Sequence, residues 1–377
     1  MKMVDSQRLD CHIQKLIEEG CFPSASLCIY HRGEKIYSKA FGLADPELGQ
    51  AASPATRYDA ASLTKIFSMS IFFRMVDRGL VSLDEPLSRY LPEFSGPRDI
   101  RESANDTTPR PDPVLGVVED VGTITFRQLL SHSAGLGGGH MYIRAEADGL
   151  SPVQEILRMP LRYQPGTSMV YSDQDIILIG AALERMTGKP LDALVEEWVT
   201  RPLDLTSSGY VRISRGGIEN AAATLLCPWR GRRIRGVVQN EDSYLMDGVA
   251  GHAGIFTTAE DTAALVQSYL SAVQGKPGLI SPELARETIR LQAAAGIERR
   301  GLLWQLRTPD VNDGTFPASP QSFGHTGWTG TMVWADVERD AVFALLTNDI
   351  WLPQEKRTLF ARRKSIVEYI MELADRL

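Results

Sequence analysis

The chain predicts an α+β fold: a central antiparallel sheet assembled from its two ends and flanked by helices, with a mostly helical lobe inserted between those ends. Three observations carry this. Strand-like segments gather near the two termini, amphipathic helical patterns fill the middle, and no βαβ alternation recurs. At 377 residues the chain also exceeds the usual size of one domain. The expected division is residues 1–58 plus 245–377 for the sheet domain and 59–244 for the helical domain, with the active site between them.

Each element has its own signal. Residues 6–19 place Leu9, Ile13, Leu16 and Ile17 on one helical stripe, and Gly20 stops the helix. Residues 24–30 and 35–41 are apolar runs on either side of His31-Arg32-Gly33-Glu34, the signature of a hairpin. Residues 62–79 are helical in pattern and end at Gly79. Residues 95–114, rich in Pro, Asp, Arg and Ser, predict a long surface loop. A short helix over 126–130 precedes a glycine-rich loop at 135–139. A second amphipathic helix spans 173–186, closed by Gly188. Thr257 and Thr258 before Glu260 and Asp261 form a capping-box pattern for a helix reaching about 273. Strands over 331–335 and 341–347 flank a Glu338-Arg339-Asp340 turn, and a helix from about 362 closes the chain.

Composition narrows the function. A net charge of −7 gives no reason to expect nucleic acid or anionic lipid as a partner. Arg230, Arg232, Arg233 and Arg235 form one basic cluster, either a solvated loop or an anion contact. No apolar run is long enough to span a bilayer, and residues 1–6 contain no apolar signal core. Cys11, Cys21, Cys28 and Cys227 show no metal-ligand spacing, so free thiols in a reducing compartment are expected. The expected location is cytoplasmic, or periplasmic to extracellular if the chain is a trimmed mature form. There is no G-x-S-x-G elbow, no H-E-x-x-H, no G-x-G-x-x-G and no phosphate-binding loop. Neither cofactor nor metal is expected.

Chemistry concentrates in three motifs. In Ser62-Leu63-Thr64-Lys65 the serine and lysine stand at i and i+3, on one helix face, where the amine can help to deprotonate the hydroxyl. About one such match arises by chance in a chain of this size, so the motif needs its context. The second motif is Tyr171-Ser172-Asp173, after the Pro165-Gly166 turn, and the third is His325-Thr326-Gly327, ahead of a strand. His132 and His252, in loops beside glycine, fit hydrogen-bonded scaffold better than ligands.

With their flanks these motifs resemble the serine β-lactamase / penicillin-recognising superfamily. The nearest part is the class C-like branch of D-alanyl-D-alanine carboxypeptidases, esterases and uncharacterised hydrolases. The resemblance is carried by Phe22-Pro23-Ser24-Ala25-Ser26, Asp59-Ala60-Ala61 ahead of Ser62, and Leu129-Leu130-Ser131-His132-Ser133-Ala134-Gly135-Leu136. It continues through Pro165-Gly166-Thr167, Gly248-Val249-Ala250-Gly251-His252-Ala253-Gly254 and Phe323-Gly324-His325-Thr326-Gly327-Trp328-Thr329-Gly330-Thr331.

The resemblance implies a β-lactamase/transpeptidase-like fold and assigns roles. Ser62 is the acylated nucleophile, Lys65 the positive charge that helps move its proton, and Tyr171 the partner acid or base. An ordinary phenol, titrating near ~10, is a poor base at neutral pH, and a neighbouring ammonium favours the phenolate. Whether Lys65 or Tyr171 takes the proton stays open. The backbone N–H groups of Ser62 and Trp328 would form the oxyanion hole. His325 and Thr326, with Gly327, would face the leaving side of the substrate.

Two departures bear on the substrate. Where many class C enzymes carry Tyr-x-Asn, the third residue is Asp173, whose charge would repel substrate carboxylates. Asp173 also suits the N-cap of the 173–186 helix. Where β-lactamases carry Lys the chain has His325, expected to grip a carboxylate only as it protonates at lower pH. The expected function is a cofactor-free serine hydrolase of small esters or D-alanyl and muropeptide-type amides, weak on β-lactams. The alternatives are a penicillin-binding sensor that acylates without turnover, or a true β-lactamase. The expected partner is a small-molecule substrate, and the sequence leaves the oligomeric state open.

Overall fold

The computed structural model describes residues 6–101, 114–137, 148–295, 298–308 and 317–376. Parts of the loops expected at 95–114 and 135–139, and most of the N-terminal segment 1–6, lie outside these residues. Among the described residues, nine strands form one antiparallel sheet. They are β1 (Ser24–His31), β2 (Glu34–Asp45), β3 (Gln50–Ala51), β4 (Ala293–Ala295), β5 (Glu298–Arg300), β6 (Gln305–Leu306), β7 (Phe323–Thr326), β8 (Met332–Asp336) and β9 (Ala341–Thr347). Their spatial order is β4-β5-β6-β7-β8-β9-β1-β2-β3. The two ends of the chain meet where β1 pairs with β9, Ala25 opposite Thr347 through His31 opposite Ala341.

Both faces of the sheet are covered, which explains why β9 is one unbroken apolar run. On one face Leu27, Ile29, Trp334, Phe343 and Leu345 pack against α1 (Gln7–Glu18) and α6 (Leu359–Asp375), through Leu9, Ile13, Leu16, Ile366 and Ile370. On the other, Cys28, Val333, Val342, Ala344 and Leu346 join α5 (Ala259–Val273), through Leu265 and Tyr269, and the large core of the central segment. That segment holds α2 (Thr64–Asp77), α3 (Phe126–Leu130) and α4 (Asp173–Thr187). Nearly every side chain of α2 is buried, so it runs through the core and not along the surface.

Three local readings change. Residues 98–101 belong to a strand paired with residues 114–118, where a surface loop was expected. Ser62 lies in a short 3-10 turn, Ala61–Leu63, that runs directly into α2. The N-cap of α4 is Ser172, whose hydroxyl accepts from the Asp175 N–H, and Asp173 is the first helical residue. Both are good capping residue types, so the sequence alone does not separate them.

Candidate active site

The backbone ahead of Ser62 is held in a sharp turn. Ala61 has φ +47, a left-handed conformation that costs a non-glycine residue on the order of 1 kcal/mol or more. Surrounding groups enforce it. The Ala61 N–H donates to Asp59 Oδ1 at 2.9 Å, and the Ala60 N–H donates to the Ile255 carbonyl at 2.9 Å. From the β7–β8 turn, Thr329 Oγ1 donates to the Asp59 carbonyl at 2.8 Å and Thr331 Oγ1 to the Ala60 carbonyl at 3.1 Å. The turn carrying Trp328 is thereby bolted to the turn carrying Ser62. Gly327 is needed at this crossing, because a Cβ there would lie 2.1 Å from Thr331 Oγ1 and 2.7 Å from the Ala60 carbonyl oxygen. Burial pushes the Asp59 carboxyl up to about 6, against the two backbone N–H groups it accepts from.

Lys65 is the hub. Its side chain is fully buried, and Nζ donates to Ser62 Oγ at 2.9 Å, Tyr171 Oη at 2.6 Å and Asp173 Oδ1 at 2.7 Å. An ammonium has three donors, and here all three are used. Burial disfavours its charge, but Asp173 and then Tyr171 outweigh that cost and raise the Lys65 pKa above its usual value. Reciprocally, burial works against ionised Asp173, yet the Lys65 ammonium holds its carboxyl well below the ordinary range. The Asp173 charge is therefore largely spent on Lys65, where the sequence suggested one that repels substrate carboxylates.

Behind Tyr171 lies a buried pair that no motif announced as such. His132 Nδ1 is 3.1 Å from Asp175 Oδ2, and the His132 ring centroid is 4.7 Å from that of Tyr171. Burial, with Arg300 and Lys65 nearby, holds His132 well below its usual pKa, and burial raises Asp175 well above its own. His252 bonds Asn240 at 3.0 Å. Both histidines thus have partners within the fold.

His325 does line the cleft, but not as a group that charges near neutral pH. It is buried, Nδ1 donates to the Thr326 carbonyl at 2.8 Å, and Nε2 has no partner among the described residues. Burial first, then the positive charges of Arg300 and Lys65, lower its pKa well below 6.5. The expected gain of a carboxylate contact at mildly acid pH is therefore not supported.

The structure supplies another cation, which the sequence reading missed. Arg300, at the end of β5, is 5% exposed and sits 4.8 Å from the Tyr171 ring centroid. It donates to Glu298 through Nε and Nη2, while its buried Nη1 has no partner among the described residues. Glu298-Arg299-Arg300 reads as an ordinary charged surface run, so no signal marked it. Arg300, His325, Thr326, Gly327, Trp328, Ser62 and Tyr171 line one cavity of about 530 Å3. The predicted site residues are thus brought together, with Asp173 beside them on Lys65. Among the described residues, no cluster of His, Cys, Asp and Glu is arranged to hold a metal ion, and no helix is long and apolar enough to cross a membrane.

The chain is 31% identical over 373 residues to a protein of Escherichia coli (strain K12) named "Putative D-alanyl-D-alanine carboxypeptidase", covering 90% of this chain and 81% of that one. It is 28% identical over 372 residues to an N-acetylmuramyl-L-alanine amidase of Bacillus subtilis (strain 168), covering 91% and 80%. In fold it is similar to EstCE1, a hydrolase with promiscuous acyltransferase activity (TM-score 0.71, 22% identity, 98% of both chains). It is also similar to unliganded simvastatin synthase from Aspergillus terreus (TM-score 0.74, 20% identity, 97% of this chain and 98% of that one). The sequence model of the Beta-lactamase family matches residues 9–365, and the chain belongs to that family.

Proposed function

We propose that the protein is a serine hydrolase working through an acyl-enzyme on Ser62, acting on small esters or on D-alanyl and muropeptide-type amides. The observation that carries this is the three-way contact of Lys65 with Ser62, Tyr171 and Asp173. Because Asp173 keeps Lys65 protonated, Lys65 is a poor acceptor for the Ser62 proton. Tyr171 Oη, as the phenolate, is assigned as the final acceptor: Lys65 Nζ, bonded to both oxygens, passes a proton to Oη as it takes the one from Ser62 Oγ. Ser62 Oγ then bonds the substrate carbonyl carbon. The N–H groups of Ser62 and Trp328, whose turns are held together, face the developing oxyanion. Tyr171 returns the proton to the leaving oxygen or nitrogen as that bond breaks. A water repeats the sequence to free the acid.

The names of the relatives support a leaving group that bears a carboxylate, such as D-alanine. Arg300, which lines the cavity beside Tyr171, is the group assigned to receive it. We also infer the two-part division at 1–58 plus 245–377 and 59–244. All nine strands of the large sheet come from the first part, while Lys65 and Tyr171 come from the second. Four free cysteines, three of them buried, suit a reducing compartment.

The test is intact-mass measurement after incubation with a panel of β-lactams, p-nitrophenyl esters and D-Ala-D-Ala peptides. Transient acylation with product release supports a hydrolase. Stoichiometric labelling without product would make the protein a binder or sensor instead.

A further inference from the structure

Ser62 opens onto two chambers. The first, already described, is lined by Arg300, Arg357 and Arg363 with Glu298 and Asp349. The second is larger, about 920 Å3, and also contains Ser62 and Tyr171. Its walls include Leu225, Leu226, Ile350, Trp351, Leu352 and Pro353. Trp328 and Arg357 line both chambers. The Arg357 guanidinium lies 4.8 Å from the Trp328 ring centroid, donates to the Trp328 carbonyl at 2.6 Å and bonds Asp349 at 2.8 Å. This stack stands where the two chambers meet.

The apolar wall is held in place. Arg233 lies 4.5 Å from the Trp351 ring centroid and donates to the Trp351 carbonyl at 3.1 Å. Leu226, 61% exposed, stands on a two-residue strand paired to Arg232–Arg233. A clustered apolar surface beside a nucleophile is unfavourable in water unless a ligand covers it. Any ester or amide with its carbonyl at Ser62 must send its two halves in different directions. Arg300, assigned above to the leaving group, lines only the first of these two chambers, which leaves the second to the acyl half.

We infer that the second chamber is the acyl subsite, and that it selects acyl groups with a bulky apolar chain, of the alkanoyl or arylalkanoyl class. This rests on the acyl-enzyme reading above. The Ser62 Oγ–C bond forms, the C–O or C–N bond to the leaving group breaks, and the serine proton leaves with that group. The apolar chain stays in the chamber until water releases it.

The experiment uses p-nitrophenyl acetate, butanoate, hexanoate and octanoate, which share one leaving group, on the full chain. kcat/KM rises about twofold to fourfold per added methylene, as burial of each CH2 implies. Leu226→Asp, at an exposed position, lowers the octanoate-to-acetate ratio at least about fivefold by placing a charge in the wall. Trp351→Ala lowers it as well, with the melting temperature recorded to separate misfolding from lost contact. A parent ratio that is flat or falls with chain length overturns the inference, as does a ratio that Leu226→Asp leaves unchanged. A parent that gains no acyl mass on Ser62 with any ester overturns the underlying reading too, so the two failures are distinguishable.

Discussion

Lys65 and Asp173 form a 2.7 Å ion pair in which the lysine side chain is fully buried and the carboxylate about one-third exposed. A charge buried beside a nucleophile needs a counter-ion, and one residue of the second motif supplies it. Asp173→Asn keeps the shape and removes the charge. Since Asp173 raises the Lys65 pKa, its loss lowers it, and the alkaline limb of kcat/KM moves toward neutral by at least about one pH unit. A pH–rate profile of the variant checks this, and an unmoved limb would separate the pair from the titration.

Ser62→Ala abolishes labelling by a fluorophosphonate. Lys65→Ala and Tyr171→Phe each lower turnover at least about 100-fold, the scale of losing a proton-transfer group. Retained labelling in Ser62→Ala moves the nucleophile elsewhere and sinks the scheme.

On the proposed reading, Arg300 rather than His325 distinguishes charged from neutral substrates. Arg300→Gln lowers kcat/KM for a carboxylate-bearing substrate at least about tenfold relative to p-nitrophenyl acetate, the scale of a hydrogen bond to a charged group. Because His325 is held well below 6.5, the carboxylate-bearing substrate gains nothing between pH 7 and 5.5 from its protonation. A rise over that interval that vanishes in His325→Gln would restore the histidine as the contact.

Esters outrun β-lactams on one preparation. Short-chain p-nitrophenyl esters are hydrolysed measurably and a chromogenic cephalosporin feebly, because no lysine stands at the third motif. A cephalosporin with the higher kcat/KM would contradict this.

Gly327→Ala drives a Cβ into the Ala60 carbonyl and the Thr331 hydroxyl. Backbone cannot yield as a flexible side chain does, so the expected cost is about 1–3 kcal/mol with loss of turnover. A thermal melt and an ester assay read the two effects; an unchanged melt would mean the crossing relaxes freely.

What could be read from the sequence was local. Ser62 and Lys65 are three residues apart, so helix geometry alone places them together, and α1, α4, α5 and the β1–β2 hairpin follow from periodicity and caps. The partner of Asp173 was not legible, because nothing in Tyr171-Ser172-Asp173 says which neighbour faces Lys65. Arg300 escaped because its value lies in being buried over Tyr171, and a short strand of charged residues carries no burial signal. Residues 98–101 escaped because their composition reads as turn, while their pairing with 114–118 is decided by backbone hydrogen bonds. The charge state of His325 depends on burial and on Arg300, both tertiary.

The threonine bolts between the two turns join residues 270 positions apart along the chain. Contacts so distant form late, after most loop-closure entropy has been spent. The set of contacts that holds the nucleophile's turn is therefore complete only when the C-terminal strands dock. A nascent chain still emerging from the ribosome would carry Ser62 for most of its synthesis without an organised oxyanion hole. Recovery of ester turnover during refolding should accordingly lag behind helix formation, making activity a clock for completion of the sheet.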